Sequence, residues 1–239
     1  MTVGYLFALA VLAVAASVQA SVGFGMNLLS IPVLIQIDPS YVPVPTLCLS
    51  AALNIGMLVR DRTSVSVREV GSAIVGRIPG TVLGVASLAV LSERGIAVIV
   101  AIVVIGTVLV SASGVVFRRT PPTLFTAGLL SGFGASTAGI GGPPVAILFQ
   151  DAGGPGLRGS MGGFFLVGTT VTLIGLALGG HTTTNDLVIG LSLLPAVVVG
   201  FAMSGRLVPV LDRGWTRPAV LSLSAIAAVV LVVRLIAEG

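Results

Sequence analysis

Apolar residues fill most of this chain, in eight stretches at about 5–37, 41–59, 70–91, 96–117, 123–150, 157–179, 187–205 and 216–236, separated by short polar or arginine-bearing loops. The unbroken stretches each have the roughly 20 residues that a helix needs to cross about 30 Å of hydrocarbon. Two stretches are interrupted. Ser21-Val22-Gly23-Phe24-Gly25-Met26 breaks the first, and Thr137-Ala138-Gly139-Ile140-Gly141-Gly142-Pro143-Pro144 breaks the fifth, 116 positions later. Hydrocarbon tolerates no unpaired backbone exposed to lipid, so a break at that depth must face protein or a polar cavity. Paired breaks at matching places are a sequence pointer to a transporter's binding site.

The pairing extends beyond the breaks. Pro79 and Gly84 recur as Pro195 and Gly200, and Glu93-Arg94-Gly95 recurs as Asp212-Arg213-Gly214 after a three-residue slip, with Pro121-Pro122 at the seam. The pattern predicts a single membrane domain, 1–239, with repeat one at about 5–117 and repeat two at about 123–236. Past each break, residues 27–37 and 143–150 would make helices of only about 17 and about 12 Å, too short to cross. Re-entrant hairpins follow. Each half then crosses three times, and an odd number inverts the second half relative to the first.

Arginine placement bears on the same inference. With the 60–69 loop cytoplasmic, the inverted arrangement puts Arg60, Arg62, Arg68, Arg118, Arg119, Arg158, Arg206, Arg213 and Arg217 inside and leaves Arg94 and Arg234 outside. Eight plain crossings would split them almost evenly. The predicted fold is an all-α polytopic membrane protein of two inverted repeats, each a re-entrant helical hairpin plus three transmembrane helices, with both termini on the outer face.

Composition agrees. The chain has 239 residues, 55% hydrophobic and 8% charged, against the roughly 25% charged content of a soluble domain. Its basic residues are all arginine and lie at the ends of apolar runs without interleaved aromatics, which is a topology signal and excludes nucleic acid as the expected partner. Cys48 cannot form an internal disulfide. The run ending Val18-Gln19-Ala20 is expected to stay in the mature protein, because no positive charge precedes it and the following segment is the one that recurs.

In these motifs the chain resembles the TauE/SafE family of sulfite and organosulfonate exporters, also called TSUP. The resemblance rests on Gly23-Phe24-Gly25 followed by Ile31-Pro32, on Gly139-Ile140-Gly141-Gly142-Pro143-Pro144, and on the helices carrying Pro79 and Pro195, and it covers about 5–236. Met26-Asn27 stands where more glycine is common in the family. The resemblance implies a multi-pass protein of the cell membrane that transports a small sulfur-containing anion.

The second arm of each hairpin begins a short helix whose first N–H groups have no intrahelical acceptor and carry the positive end of the dipole. Two such ends would hold an anion between them with few charged side chains. The candidate substrate-binding residues are Gly23, Gly25, Asn27, Asn54, Arg77, Ser136, Thr137, Gly139, Gly141, Gly142 and Thr170. Glycine permits close backbone approach, Pro143 suits the first helical position, and Asn27 is a candidate N-cap. Ser136 and Thr137 offer hydroxyl donors. Asn54 and its repeat mate Thr170 lie within the second segment of each half, with bonding to a neighbouring helix as the plainer reading. Arg77, well inside an apolar stretch, either grips the anion fork-wise or snorkels to the interface. Asp38, Asp151, Gln19, Gln36 and Gln150 read as interfacial helix-end residues.

An anion channel would use the same dipoles and glycines. An intramembrane serine hydrolase built on Ser136 and His181 is the rival of another class, but His181 belongs to a polar loop while Ser136 sits near the midplane. The chain is therefore read as a transporter, not an enzyme. No cofactor or metal is expected, and no ATP-binding glycine loop is present. The expected partners are a small anionic substrate and the lipid bilayer, and a homo-oligomer is left open.

Overall fold

The computed structural model describes residues 2–90, 95, 98–99, 102, 105–106, 109, 118–138, 141–178, 180, 182–215, 218–219, 222, 225–226 and 229. The expected segments at 96–117 and 216–236 lie largely outside the described residues, as do Glu93, Arg94, Gly139, Ile140, His181, Arg217 and Arg234.

Among the described residues the chain is all helix. Its helices are α1 (Thr2–Val22), α2 (Met26–Ile37), α3 (Val44–Arg60), α4 (Val67–Val90), α5 (Pro121–Ala138), α6 (Gly142–Phe149), α7 (Gly153–Leu178) and α8 (Thr184–Val210). Helices α1, α4, α7 and α8 are long and apolar enough to cross a membrane, and α3, with 17 residues, reaches about 26 Å. Local chemistry sets the boundaries. A capping box starts α8, the Thr183 hydroxyl accepting from the Asp186 amide while Asp186 accepts from the Thr183 amide. Asp38 caps the single turn Pro39–Tyr41, and hydrogen bonds from Ser40 hold its carboxyl below the usual carboxylate range. Rows of exposed Val, Ile and Leu on α4 and α8, among them Val75, Ile78, Val82, Leu191 and Val198, suit lipid and would be unfavourable in water.

The chain divides into two compact units, and both draw on each sequence half: Met1–Val65 with Arg158–Arg213, and Ser66–Leu157 with Gly214–Gly239. In the first unit α1 and α8 run parallel. Tyr5 donates to the Ser192 carbonyl at 2.8 Å near one end, and farther along Gly200 lies so close that a Cβ there would sit 2.3 Å from the Ala13 carbonyl oxygen. Helix α3 follows the same direction, with Gly190 near Pro45 and Gly56 near the Phe201 ring. The part of α7 in this unit runs against them, Gly159 meeting Asp61 and Gly162 meeting Asn54 and Met57. The core between these helices is Leu12, Ala16, Met26, Leu34, Leu49, Leu53, Leu193 and their buried neighbours.

The second unit is built on a parallel pair, α4 and α5. Gly76, Gly80 and Gly84 on α4 face Gly128 and Gly132 on α5 so closely that a Cβ at Gly76, Gly80 or Gly128 would fall 2.0, 2.1 or 1.9 Å from a carbonyl oxygen across the seam. The four-residue spacing puts these glycines on one face, as in small-residue membrane interfaces.

Arginines gather at one end of each unit. Arg60, Arg62, Arg158, Arg206 and Arg213 mark the end where α3 and α8 finish and α7 begins, while Arg68, Arg118 and Arg119 mark the end where α4 and α5 begin. At the first of these ends Arg158, its side chain 2% exposed, binds Asp212 through two nitrogens at 2.7 and 3.1 Å and Asp61 at 3.3 Å. Asp61 also pairs with Arg60 at 3.1 Å. Arg60 in turn donates to Ser204 and to the Ala20 carbonyl. The network thus ties the ends of α1, α3, α7 and α8 to one another.

Candidate functional site

Both breaks form hairpins. In the first, Ile37 lies against Gly4 and Met26 against Gln19, so α2 returns along α1. The reversal needs two left-handed residues in quick succession, Gly23 at φ 111° and Gly25 at φ 119°, and only glycine adopts these values without strain. The Gly23 amide closes the end of α1 on the Gln19 carbonyl at 2.7 Å. In the second hairpin Gly141 lies beside Ser131 and Ala135, and Phe149 lies under the Arg119 guanidinium at 5.6 Å. Helix α6 therefore returns along α5. With 12 and 8 residues, α2 and α6 are about 18 and about 12 Å long, each shorter than a bilayer.

The helix starts differ in detail from the sequence expectation. The N-cap of α2 is Gly25, not Asn27, and it supplies no side-chain bond. Gln19 takes that role from α1, its Oε1 accepting from the Met26 amide at 2.9 Å. Gln19 is 6% exposed, because the hairpin folds the end of α1 against the start of α2. Its Nε2 donates to Asn54 Oδ1 at 3.0 Å. Asn54 is 1% exposed, and its Nδ2 has no hydrogen-bond partner among the described residues. Asn27, in the first turn of α2, accepts from the Ser50 hydroxyl at 3.0 Å. Gly23, Gly25, Asn27 and Asn54 are thus brought together around the start of α2.

At the second break Gly142 is the first helical residue and Pro143 and Pro144 follow it, so Pro143 does not hold the first position. Ser131 donates to the Gly141 carbonyl, and a Cβ on Gly141 would meet the Ser131 carbonyl at 2.7 Å, so close packing alone requires glycine there. Ser136 and Thr137 spend their hydroxyls on their own helix, Ser136 on Gly132 at 2.9 Å and Thr137 on Phe133 at 2.7 Å. Gly139 lies outside the described residues. Arg77 is 8% exposed, whereas a snorkelling guanidinium would end in the open. Thr170 is exposed, with its hydroxyl bonded to Leu166 at 2.8 Å, while its neighbour Thr169 is buried. Gln150 is also buried, at 5% exposed.

Gln19 and Ser131, which the sequence did not place at the breaks, bond at the two helix starts. An amide inside an apolar run, four positions before a glycine break, was the available signal for Gln19.

An all-α, multi-pass membrane protein with two half-length helices starting at glycine breaks belongs to the architectural class that carries solutes across bilayers. The particular family follows from sequence: the chain belongs to the sulfite exporter TauE/SafE family, whose sequence model matches residues 7–231. Members of this family are membrane transporters. No curated protein and no solved structure matches the chain.

Proposed function

We propose that this transporter exports a small sulfur-containing anion, such as sulfite or an organosulfonate, across the cell membrane, with the half-helix N-termini that start at Met26 in one unit and at Gly142 in the other each offering a place for an anion. The supporting observation is that each break leads into a short helix whose first residue is buried, Met26 at 0% exposed and Gly142 likewise enclosed. A helix start inside protein presents the positive dipole end to whatever lies before it. In the second unit, buried Arg77 offers a permanent charge to an anion. The arginine-rich end of each unit is assigned to the cytoplasm, which gives inverted repeats with both termini outside. The parallel pairs α1–α8 and α4–α5 agree with that topology, since each joins a hairpin arm of one half to a crossing helix of the other. A membrane potential negative inside then drives anions outward at about 2.3 kcal/mol per charge per 100 mV.

Flux through the purified protein in liposomes, measured with sulfite, thiosulfate and small organosulfonates under imposed voltage and pH gradients, tests the proposal. Saturable, potential-accelerated flux of one of these anions with counterflow is the expected result. Linear flux without counterflow assigns a channel instead, and no flux of any sulfur anion refutes the proposal.

A further inference from the structure

The amides at the first break have forced orientations. The Met26 N–H only donates, so the Gln19 atom facing it at 2.9 Å is the side-chain oxygen. That turns the Gln19 NH2 group toward Asn54, and a donor at 3.0 Å requires an acceptor, so Asn54 presents Oδ1. The remaining group of Asn54 is therefore a donor, not an acceptor. It is Nδ2, in a side chain 1% exposed, with no partner among the described residues. An isolated buried donor is unfavourable, and such groups in native proteins call for a ligand, water or functional reason. Each bond in the chain also polarises the next, so the positive end of the α2 dipole is passed through Gln19 to the Asn54 amide.

We infer that Gln19 is a positioning residue that locks Asn54 Nδ2 as a donor to an oxygen of the transported anion, so that the Met26–Gln19–Asn54 chain selects acceptors at the first break. This rests on the anion-transport reading and adds the residue that gives the site its polarity.

Gln19→Glu provides a nearly isosteric test. When ionised, the carboxylate of this variant offers two acceptors, one to Met26 and one to Asn54, so Asn54 must turn its NH2 inward and present an oxygen to the anion. When protonated, the carboxyl restores the original order, its carbonyl accepting from Met26 and its O–H donating to Asn54 Oδ1. The ionisable groups on the helices packed around it are Tyr5 on α1, Cys48 and Arg60 on α3, Arg158 on α7, and Asp186 and Arg206 on α8, with none on α2.

The measurement is anion-induced thermal stabilisation of the purified full-length protein, with sulfite and thiosulfate for identity. Sulfate, methanesulfonate and nitrate, whose charges stay constant, serve for the pH series from about 8 to about 5. Wild type is expected to bind at least one of these anions with little pH dependence. Gln19→Glu should weaken binding by about tenfold or more at the alkaline end and recover on acidification, and Asn54→Leu should weaken it throughout. If Gln19→Glu does not fold, Asn54→Leu carries the test. Unchanged affinity in the folded variant, a loss that acid does not relieve, no anion binding by wild type, or failure of both variants to fold would each overturn the inference. Gln19-dependent anion binding without flux of any sulfur anion refutes the proposed function while this inference stands. Normal sulfite flux in wild type and Gln19→Glu alike does the reverse.

Discussion

Replacing Gly80 by alanine probes the parallel α4–α5 seam. A Cβ built at Gly80 falls 2.1 Å from the Leu129 carbonyl oxygen and 2.8 Å from Leu129 Cα. Both are backbone atoms, so no rotamer change relieves the clash. Ordinary contact begins at 3.4 Å, and the helices must part by about 1 Å to admit the methyl group, a gap that forfeits roughly a quarter to a half of each dispersion well. If the seam holds only as many atom pairs as one buried leucine, about 40–60 at about 0.1–0.2 kcal/mol each, the loss is about 3 kcal/mol. Alanine recovers about 1 kcal/mol through helix propensity, leaving about 2 kcal/mol of net destabilisation. Gly71, on the same helix, has nothing within 4 Å of its built Cβ, so Gly71→Ala should be neutral or stabilising by up to about 1 kcal/mol. In thermal unfolding of the purified protein at one scan rate, Gly80→Ala is expected to lower Tm by about 4–8 °C and Gly71→Ala to leave it level or raised. Equal Tm values for the two variants would refute the close parallel seam.

Four further outcomes follow from the fold and the proposed site. Asp61→Asn removes one of the two charge partners of buried Arg158, which keeps Asp212, and should cost about 1–3 kcal/mol; a Tm no lower than that of Arg62→Ala, an exposed neighbour, would contradict the network. Gly25→Ala forces a side chain into a left-handed backbone at φ 119° and should cost about 1–2 kcal/mol with a fall in flux; wild-type Tm and flux together would show that the turn is not as described. Arg77→Ala should cut anion flux in proteoliposomes with insertion intact, and undiminished flux removes Arg77 from the mechanism. A C-terminal tag should react with impermeant reagent in intact cells, and protection from it counts against the outer placement of the terminus.

The hairpins were legible in sequence because a break and a short remainder constrain the chain by length alone: neither 27–37 nor 143–150 could cross, and α2 and α6 return as that requires. Other features depended on contacts that spacing does not encode. Gln19 read as a helix-end residue by position along the chain, yet the turn at Gly23 and Gly25 folds it onto the start of α2. Thr170 followed from Asn54 by repeat register, but the neighbouring Thr169 is the buried one. The role of Gly76 and Gly80 needed knowledge of the helix facing them. Pro143 stands at the second helical position, one place past the expected one.

The helix starts at Met26 and Gly142 differ in chemistry. In α2 the amides of Met26, Asn27 and Leu28 precede the first intrahelical bond, from Leu29 to Gly25 at 3.1 Å. In α6 the corresponding turn contains Pro143 and Pro144, which have no N–H to offer. One start is therefore richer in donors, whereas the other is held by Ser131 and packed tightly at Gly141. The sequence mates show the same divergence, since Asn54 corresponds to Thr170 and Gln19 to Ala135. The donor chain that begins at Met26 thus has no counterpart 116 positions on.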